Sequence, residues 1–252
     1  MPPTNVSDPR YYHKVVDCQW ACPAHTNVPE YLRLIAQGQY TDSYLLNRES
    51  NVFPGILGRT CDRPCEPACR RGRVDGKPVA ICRLKRVASD LRDDVSDRLP
   101  TAPATKNGKR VALIGAGPAS LTVANDLMPL GYAVTIFEKY DKPGGLMRSN
   151  IPSFRLPEKV LMDEIDMILD MGVEIRYNSP VESMQSLLGA GFDAIFVGSG
   201  APGHFSWSQS PPRIHRPFGS FFAYSPSRRA SSSGELALRK STLARANPPM
   251  RK

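Results

Sequence analysis

The sequence predicts an α+β protein. A helical, cysteine-bearing region (residues 1–92) precedes an α/β, Rossmann-like dinucleotide fold (residues 110–202) that is incomplete at its end. Three observations predict this. All six cysteines, Cys18, Cys22, Cys61, Cys65, Cys69 and Cys82, fall in the first third of a 252-residue chain. A strand pattern runs into Gly115-Ala116-Gly117-Pro118-Ala119-Ser120, then a helical pattern, a second strand pattern and Glu138. Beyond residue 202 the composition changes abruptly and the patterns stop.

Hydrophobic residues make up 41% of the chain and charged residues 23%, which excludes a wholly disordered protein. No apolar run approaches the roughly 18 residues of a membrane span, and the N-terminal segment lacks the apolar core of a signal peptide. The expectation is a soluble, cytoplasmic protein. The net charge of +9 is uneven: residues 1–202 carry 24 Lys and Arg against 23 Asp and Glu, whereas residues 203–252 carry nine against Glu235 alone. The patterned part is therefore nearly neutral, which argues against a nucleic-acid-binding face.

The cysteines read C-x3-C-P, then C-x3-C-x3-C, then a single Cys82. Spacings of four would bring thiolates to one side of a helical turn or tight loop, converging on one inorganic core. The C-P ending at Cys22-Pro23 matches that of bacterial ferredoxin runs. Structural zinc more often uses C-x2-C or C-x4-C pairs, and disulfides suit small secreted chains. Iron–sulfur is the favoured reading; zinc and inert or disulfide-bonded cysteines are the alternatives. Around these cysteines, Val28–Ile35 reads as a helix capped by Thr26-Asn27 with Pro29 in its first turn. Tyr40–Asn47 and Val79–Leu91 read as two more helices, the last carrying Cys82. Arg59, Arg63, Arg70, Arg71, Arg73, Arg83, Lys85 and Arg86 either offset a cluster's negative charge or form a solvated surface.

Residues 93–109, poor in apolar side chains, read as a linker. Arg110–Ile114 is then a buried strand, residues 121–130 a helix ended by Gly131, and Ala133–Phe137 a second strand. In this order Gly115 permits the tight turn and Gly117 lets the backbone approach a pyrophosphate. Ser120 replaces the third glycine while remaining small enough for helix–strand packing. Glu138 stands where ribose hydroxyls are held. Gly144-Gly145 would allow a second close backbone approach. Glu158–Met171 reads as an amphipathic helix burying Val160, Leu161, Ile165, Ile168 and Leu169. Residues 173–176 and 193–197 read as strands, the last entering Gly198-Ser199-Gly200-Ala201-Pro202.

Together, the C-x3-C-P, C-x3-C-x3-C, G-A-G-P-A-S, F-E-K, G-G-L and I-P-x-F-R-L-P elements make residues 11–202 similar to the small subunit of glutamate synthase. They also resemble the N-terminal portion of dihydropyrimidine dehydrogenase. The resemblance implies a helical iron–sulfur domain before an FAD domain, into which an NADPH domain is inserted. Electrons would pass from NADPH through FAD to 4Fe–4S clusters and an electron-accepting partner subunit, such as a glutamate synthase large subunit. It implies FAD contacts at Gly115, Ala116, Gly117, Pro118, Ala119 and Ser120, with Glu138 on the ribose. Lys139, Gly145, Leu146 and Arg155 would follow along the flavin, and Val181 would lie near the adenine. Cys22, Cys61 and Cys65 resemble three ligands of one cluster, with Cys82 as its fourth. Cys18 and Cys69 resemble ligands of a second, but the C-x2-C pair expected upstream of Cys18 is absent, so one complete cluster is expected.

The family continues past the Gly198–Pro202 turn into a second glycine-rich loop for NADPH, which this sequence lacks. Residues 203–252 contain ten serines and six prolines and show no sustained period, predicting a segment without regular structure. A frameshift explains that composition better than a nucleic-acid- or membrane-binding basic arm, because the basic residues are not clustered. No acid–base pair or nucleophile constellation stands out as catalytic; His13, His25, His204 and His215 sit in ordinary contexts. The expectation is an oxidoreductase of the glutamate synthase small-subunit type, with little NADPH oxidation by this chain alone. The rivals are a zinc-stabilised nucleotide-binding module and an inactive fragment.

Overall fold

The computed structural model describes residues 16–200 and the backbone of residues 221–224. These divide into two compact units at Val95–Ser96, inside the stretch read as a linker. The ends of that stretch belong to different units. Asp93 accepts a hydrogen bond from Thr41 Oγ1 at 3.0 Å and Val95 is buried, whereas Asn107 N–H donates to Gly131 O at 2.9 Å.

The first unit is helical: α1 (Asp17–Ala21), α2 (Val28–Ala36), α3 (Tyr40–Ser50), α4 (Pro54–Thr60), α5 (Arg71–Val74) and α6 (Ile81–Asp90). Asn27 caps α2, its side-chain oxygen accepting Glu30 N–H at 3.3 Å, and Pro29 stands in the first turn where no amide is needed. Val28, Tyr31, Cys65 and Ile81 form a buried cluster, flanked by half-buried Cys18, Leu32, Ile35, Leu46 and Val79. Helix α3 buries polar residues as well as Tyr44. Ser43 Oγ donates to Tyr31 O at 3.0 Å and Asn47 Nδ2 donates to Ser43 O at 2.8 Å, whereas Asn47 Oδ1 is enclosed without a hydrogen-bond partner.

Helix α4 was not apparent in the sequence pattern, because seven residues are too few to show a period. It packs closely on α6. A Cβ added at Gly58 would lie 2.8 Å from both the Cα and the N of Arg86, so only glycine permits this approach.

The second unit is a five-stranded sheet in the order β3-β2-β1-β4-β5: β1 (Arg110–Ile114), β2 (Ala133–Phe137), β3 (Glu174–Arg176), β4 (Ala194–Val197) and β5 (Phe221–Tyr224). The first four strands pair in parallel, through β1·β2, β1·β4 and β2·β3. The connections carry α7 (Pro118–Leu127), α8 (Leu146–Ser149), α9 (Glu158–Leu169) and α10 (Met184–Gly189). A 3-10 turn at Met128–Leu130 and left-handed Gly131 (φ 82°) end the α7 segment, as the sequence suggests. Ala112, Ile114, Leu187, Phe192, Ile195 and Val197 form one buried core, with Val181 packed against it. Of the apolar residues expected to be buried on α9, Leu161, Ile165 and Ile168 are; Val160 and Leu169 are half-buried, and Glu164 joins the buried face.

One part of the tail departs from the expected lack of structure: the backbone of β5 pairs antiparallel with β4, Phe221 opposite Val197 and Tyr224 opposite Ala194. A Phe-Phe-Ala-Tyr run suits a strand, and the edge of β4 offers unpaired backbone groups. The remaining tail calls, together with Ala201, Pro202, His13, His204 and His215, lie outside the described residues.

Substituting Gly58→Ala must push α4 away from α6. The expected loss is about 1–3 kcal/mol of stability, the usual cost of overpacking. A denaturant midpoint unchanged from the parent would refute the close approach.

Candidate functional site

In the first unit the six cysteines all carry free thiols, but equal spacing does not gather them equally. Cys18 lies on α1. Cys22 follows its end with extended backbone (φ −76°, ψ 123°), as a residue preceding proline tends to. Cys22 is the C-cap of this helix, four residues after Cys18, and its extended ψ turns the chain that follows away from the helix axis. The Cys61–Cys69 run is likewise non-helical: Pro64 and Pro67 interrupt it, and Arg63 adopts φ 62°. Neither run is one continuous helix, so loop backbone takes part in placing these thiols.

Two groups result. Cys65 is within electrostatic reach of Cys22, Cys61 and Cys82, and Cys61 is hydrogen-bonded to Cys82. Cys18 instead faces Cys69. Burial pushes the Cys65 thiol up to about 11, partly opposed by the Lys85 ammonium. The hydrogen bond from Cys82 draws Cys61 down to about 5, and the same bond, with burial, pushes Cys82 well above its ordinary range. Burial also raises Cys18. Fully buried Tyr31 is raised first by burial and then by Cys65, Cys82, Cys22 and Cys18; its hydroxyl donates to Ile81 O at 3.3 Å.

Supporting contacts set the positions of these sulfurs. Cys82 Sγ donates to Leu57 O at 3.4 Å, Arg63 N–H donates to Cys61 Sγ at 3.3 Å, and Cys22 Sγ lies 3.5 Å from Thr26 Oγ1. Glu66, in the loop after Cys65, accepts Cys82 N–H at 3.0 Å and so caps α6, which has no side-chain cap of its own. Among the described residues no three His, Cys, Asp or Glu side chains stand close enough for a single metal ion. A tetrahedral zinc draws its ligands to about 2.3 Å of one point. A four-iron cubane spreads four thiolates around a larger body. Four thiols are the donor set that such a cubane takes.

In the second unit β1 delivers Gly115 into a left-handed turn (φ 87°). A Cβ there would meet Gly198 O at 2.9 Å, so the glycine answers both the backbone conformation and the approach of β4. Gly117 then starts α7, whose first amides receive no side-chain cap and point out of the loop as an anion site. Ser120 is buried against β4's end, its hydroxyl without a hydrogen-bond partner; Pro118 and Ala119 are exposed.

Buried Glu138 accepts Ala116 N–H at 2.6 Å and Tyr140 N–H at 3.0 Å. Each carboxylate oxygen keeps a second lone pair for a hydroxyl. The Gly144-Gly145 approach is made to the chain's own loop: Gly144 N–H donates to Ala116 O at 2.8 Å, and a Cβ on Gly145 would meet Gly117 Cα at 2.9 Å. Lys139 and Leu146 are exposed, Lys139 lying over the Tyr140 ring at 4.7 Å, and Arg155 is exposed further along. Half-buried Val181 packs into the core beside β4, a setting no pattern in the sequence indicated. Tyr31, Glu66 and Lys85 were also not singled out as site residues. Only Lys85 left a signal, three residues after Cys82 on the same helical face.

Gly145→Ala should cost about 1–3 kcal/mol, because its backbone conformation (φ 50°, ψ −131°) is strained for any other residue. Unchanged thermal stability would contradict the contact. Glu138→Gln leaves one of two buried amides facing an NH2 group; a loss of about 1–3 kcal/mol is expected on denaturant unfolding.

Comparison with known proteins agrees with both halves. Residues 11–96 match the family model for dihydropyrimidine dehydrogenase domain II, 4Fe-4S cluster, and residues 113–174 match an NAD(P)-binding Rossmann-like domain. The chain is 39% identical over 206 residues to the NADP(+)-dependent formate dehydrogenase subunit beta of Moorella thermoacetica, covering 73% of this chain and 29% of that protein. It is 38% identical over 195 residues to the NAD-dependent dihydropyrimidine dehydrogenase subunit PreT of Salmonella typhimurium (73% and 47%). Identity to the NADPH glutamate synthase small chain of Mycobacterium tuberculosis is 34% over 196 residues (77% and 39%). The chain thus spans less than half the length of these relatives. Over its cysteine-bearing and nucleotide-fold regions, it is a homologue of the iron–sulfur oxidoreductase subunits of the glutamate synthase small-chain and dihydropyrimidine dehydrogenase type.

Proposed function

We propose that this chain is the iron–sulfur and flavin-binding part of an NAD(P)H-dependent oxidoreductase that works in the cytoplasm with an electron-accepting subunit. One observation carries the reading: Cys65 lies within electrostatic reach of Cys22, Cys61 and Cys82 in the unit next in sequence to a parallel nucleotide fold. In it Cys22, Cys61, Cys65 and Cys82 hold one 4Fe–4S cluster. Cys18 and Cys69 are half of a second ligand set.

When bound, FAD accepts a hydride from a nicotinamide and releases electrons singly to an iron–sulfur centre. The chain's own residues supply binding and orientation. The first amides of α7 and the glycine turn 115–117 receive the pyrophosphate. Glu138, already fixed by two backbone donors, accepts a ribose hydroxyl without having to reorganise. Lys139, Gly145, Leu146 and Arg155 lie further along the same nucleotide. FAD rather than a nicotinamide dinucleotide is favoured by the Gly-Gly-Leu and Ile-Pro-x-Phe-Arg-Leu-Pro elements, since both cofactors use the Rossmann turn.

Protein purified without oxygen should contain about four irons and matching sulfide per chain, together with bound flavin. Cys22→Ser, Cys61→Ser and Cys65→Ser should each lose most of the iron, whereas Cys18→Ser and Cys69→Ser should keep it. Stoichiometric zinc in place of iron, or full iron in all three of the first variants, would overturn the assignment.

A further inference from the structure

Eight basic residues surround the cysteines in sequence, and the fold separates one from the rest. Arg63, Arg70, Arg71, Arg73, Arg83 and Arg86 are exposed. The Arg59 side chain is also enclosed, 6% exposed, but it is paired: its guanidinium bonds Asp90 at 2.6 Å and Gly55 O at 3.0 Å. Lys85 is only 7% exposed. It lies one turn after Cys82 on the face of α6 that also buries Ile81, Ala88 and Ser89. No carboxylate pairs with it among the described residues. Its ammonium instead acts on three thiols from different segments: Cys61 after α4, Cys65 in the following loop and Cys82 on its own helix.

A buried, unpaired ammonium is costly, and lysine is almost never enclosed without a compensating charge. Three of the four thiols assigned to the cluster lie within its electrostatic reach. Four thiolates around an iron–sulfur core leave a net negative charge, which one-electron reduction increases further. A fixed positive charge in a poorly solvated site favours that reduced state.

We propose that Lys85 is the buried counter-charge of the cluster bound by Cys22, Cys61, Cys65 and Cys82, and that it raises the reduction potential of that cluster. This rests on the iron–sulfur assignment above. Lys85 binds no iron; it acts through the field it places on the thiolates, whereas solvent screens the exposed arginines nearby.

The test uses the full chain carrying its cluster, with iron and sulfide quantified and reduction followed by electron paramagnetic resonance at controlled solution potential. Lys85→Met should keep its iron while the ratio of reduced to oxidised cluster at fixed potential falls about tenfold, ~59 mV for a one-electron couple. Lys85→Arg should return the ratio towards that of the parent. Arg83→Met removes the same charge from an exposed position on the same helix and should leave the ratio close to the parent's. Equal potentials in Lys85→Met and the parent, both with full iron, would overturn the proposal while leaving the cluster intact. Loss of iron in Lys85→Met with retention in Lys85→Arg would still show that the charge is required. Loss in both would assign Lys85 a packing role and overturn it. A parent without iron would instead overturn the cluster assignment itself.

Discussion

The backbone approach between Gly58 and Arg86 is the constraint on which the cysteine-bearing unit depends. With no side chain between them, α4 and α6 come close enough for the end of one to meet the start of the other. Three residues after Gly58 stands Cys61; four residues before Arg86 stands Cys82, and these two thiols are hydrogen-bonded. Cys82 also reaches Leu57 O on α4, and Glu66 holds the first turn of α6 from the intervening loop. Covalently distant sulfurs are thereby placed by helix packing, which is stiffer than any loop could make them.

Helix-breaking residues do the complementary work. Pro23 ends α1 just after Cys22, and Pro64 and Pro67 keep the Cys61–Cys69 run from winding into a helix. Tyr31 shares one buried cluster with Cys65, with Cys18 packed against it, and its hydroxyl is satisfied by a backbone carbonyl, so part of the site is built into the hydrophobic core. Lys85 belongs to the same enclosure. A charge buried there has its strongest influence on the thiols and its weakest contact with solvent.

The nucleotide unit solves a related problem with backbone rather than sulfur. An anion site needs free amides held still, and those amides cannot also be used to hold the loop. Here the loop is fixed through Ala116, whose amide donates to Glu138 and whose carbonyl accepts from Gly144. The amides that open α7 receive no side-chain cap. Gly115 and Gly145 let β4 and the 144–145 segment close against the loop without a side chain in the way. Ser120 in place of a third glycine is accommodated because Gly198 opposite it has none; its hydroxyl is enclosed without a partner.

Much of this was legible in the residues. Asn27 and Pro29 mark the start of α2, Gly131 the end of the α7 segment, and the strand–glycine–helix–strand–Glu138 order marks the nucleotide fold, because caps, turns and periodicity are local properties of a chain. The cysteine types and the short β5 partner of β4 were less so. The equal C-x3-C spacings do not by themselves set Cys18 and Cys69 apart from the other four; only the family resemblance did so. Helix α4 was too short to announce itself, and nothing local showed that Gly58 would meet Arg86. By itself the sequence determined the kind of chemistry, thiols for an inorganic centre and a glycine turn with an acid for a dinucleotide, since these depend on residue type and spacing. Only the tertiary structure decided that Gly58 meets Arg86 and that Lys85 is enclosed without a carboxylate beside it, since burial and contact between distant segments arise from packing alone.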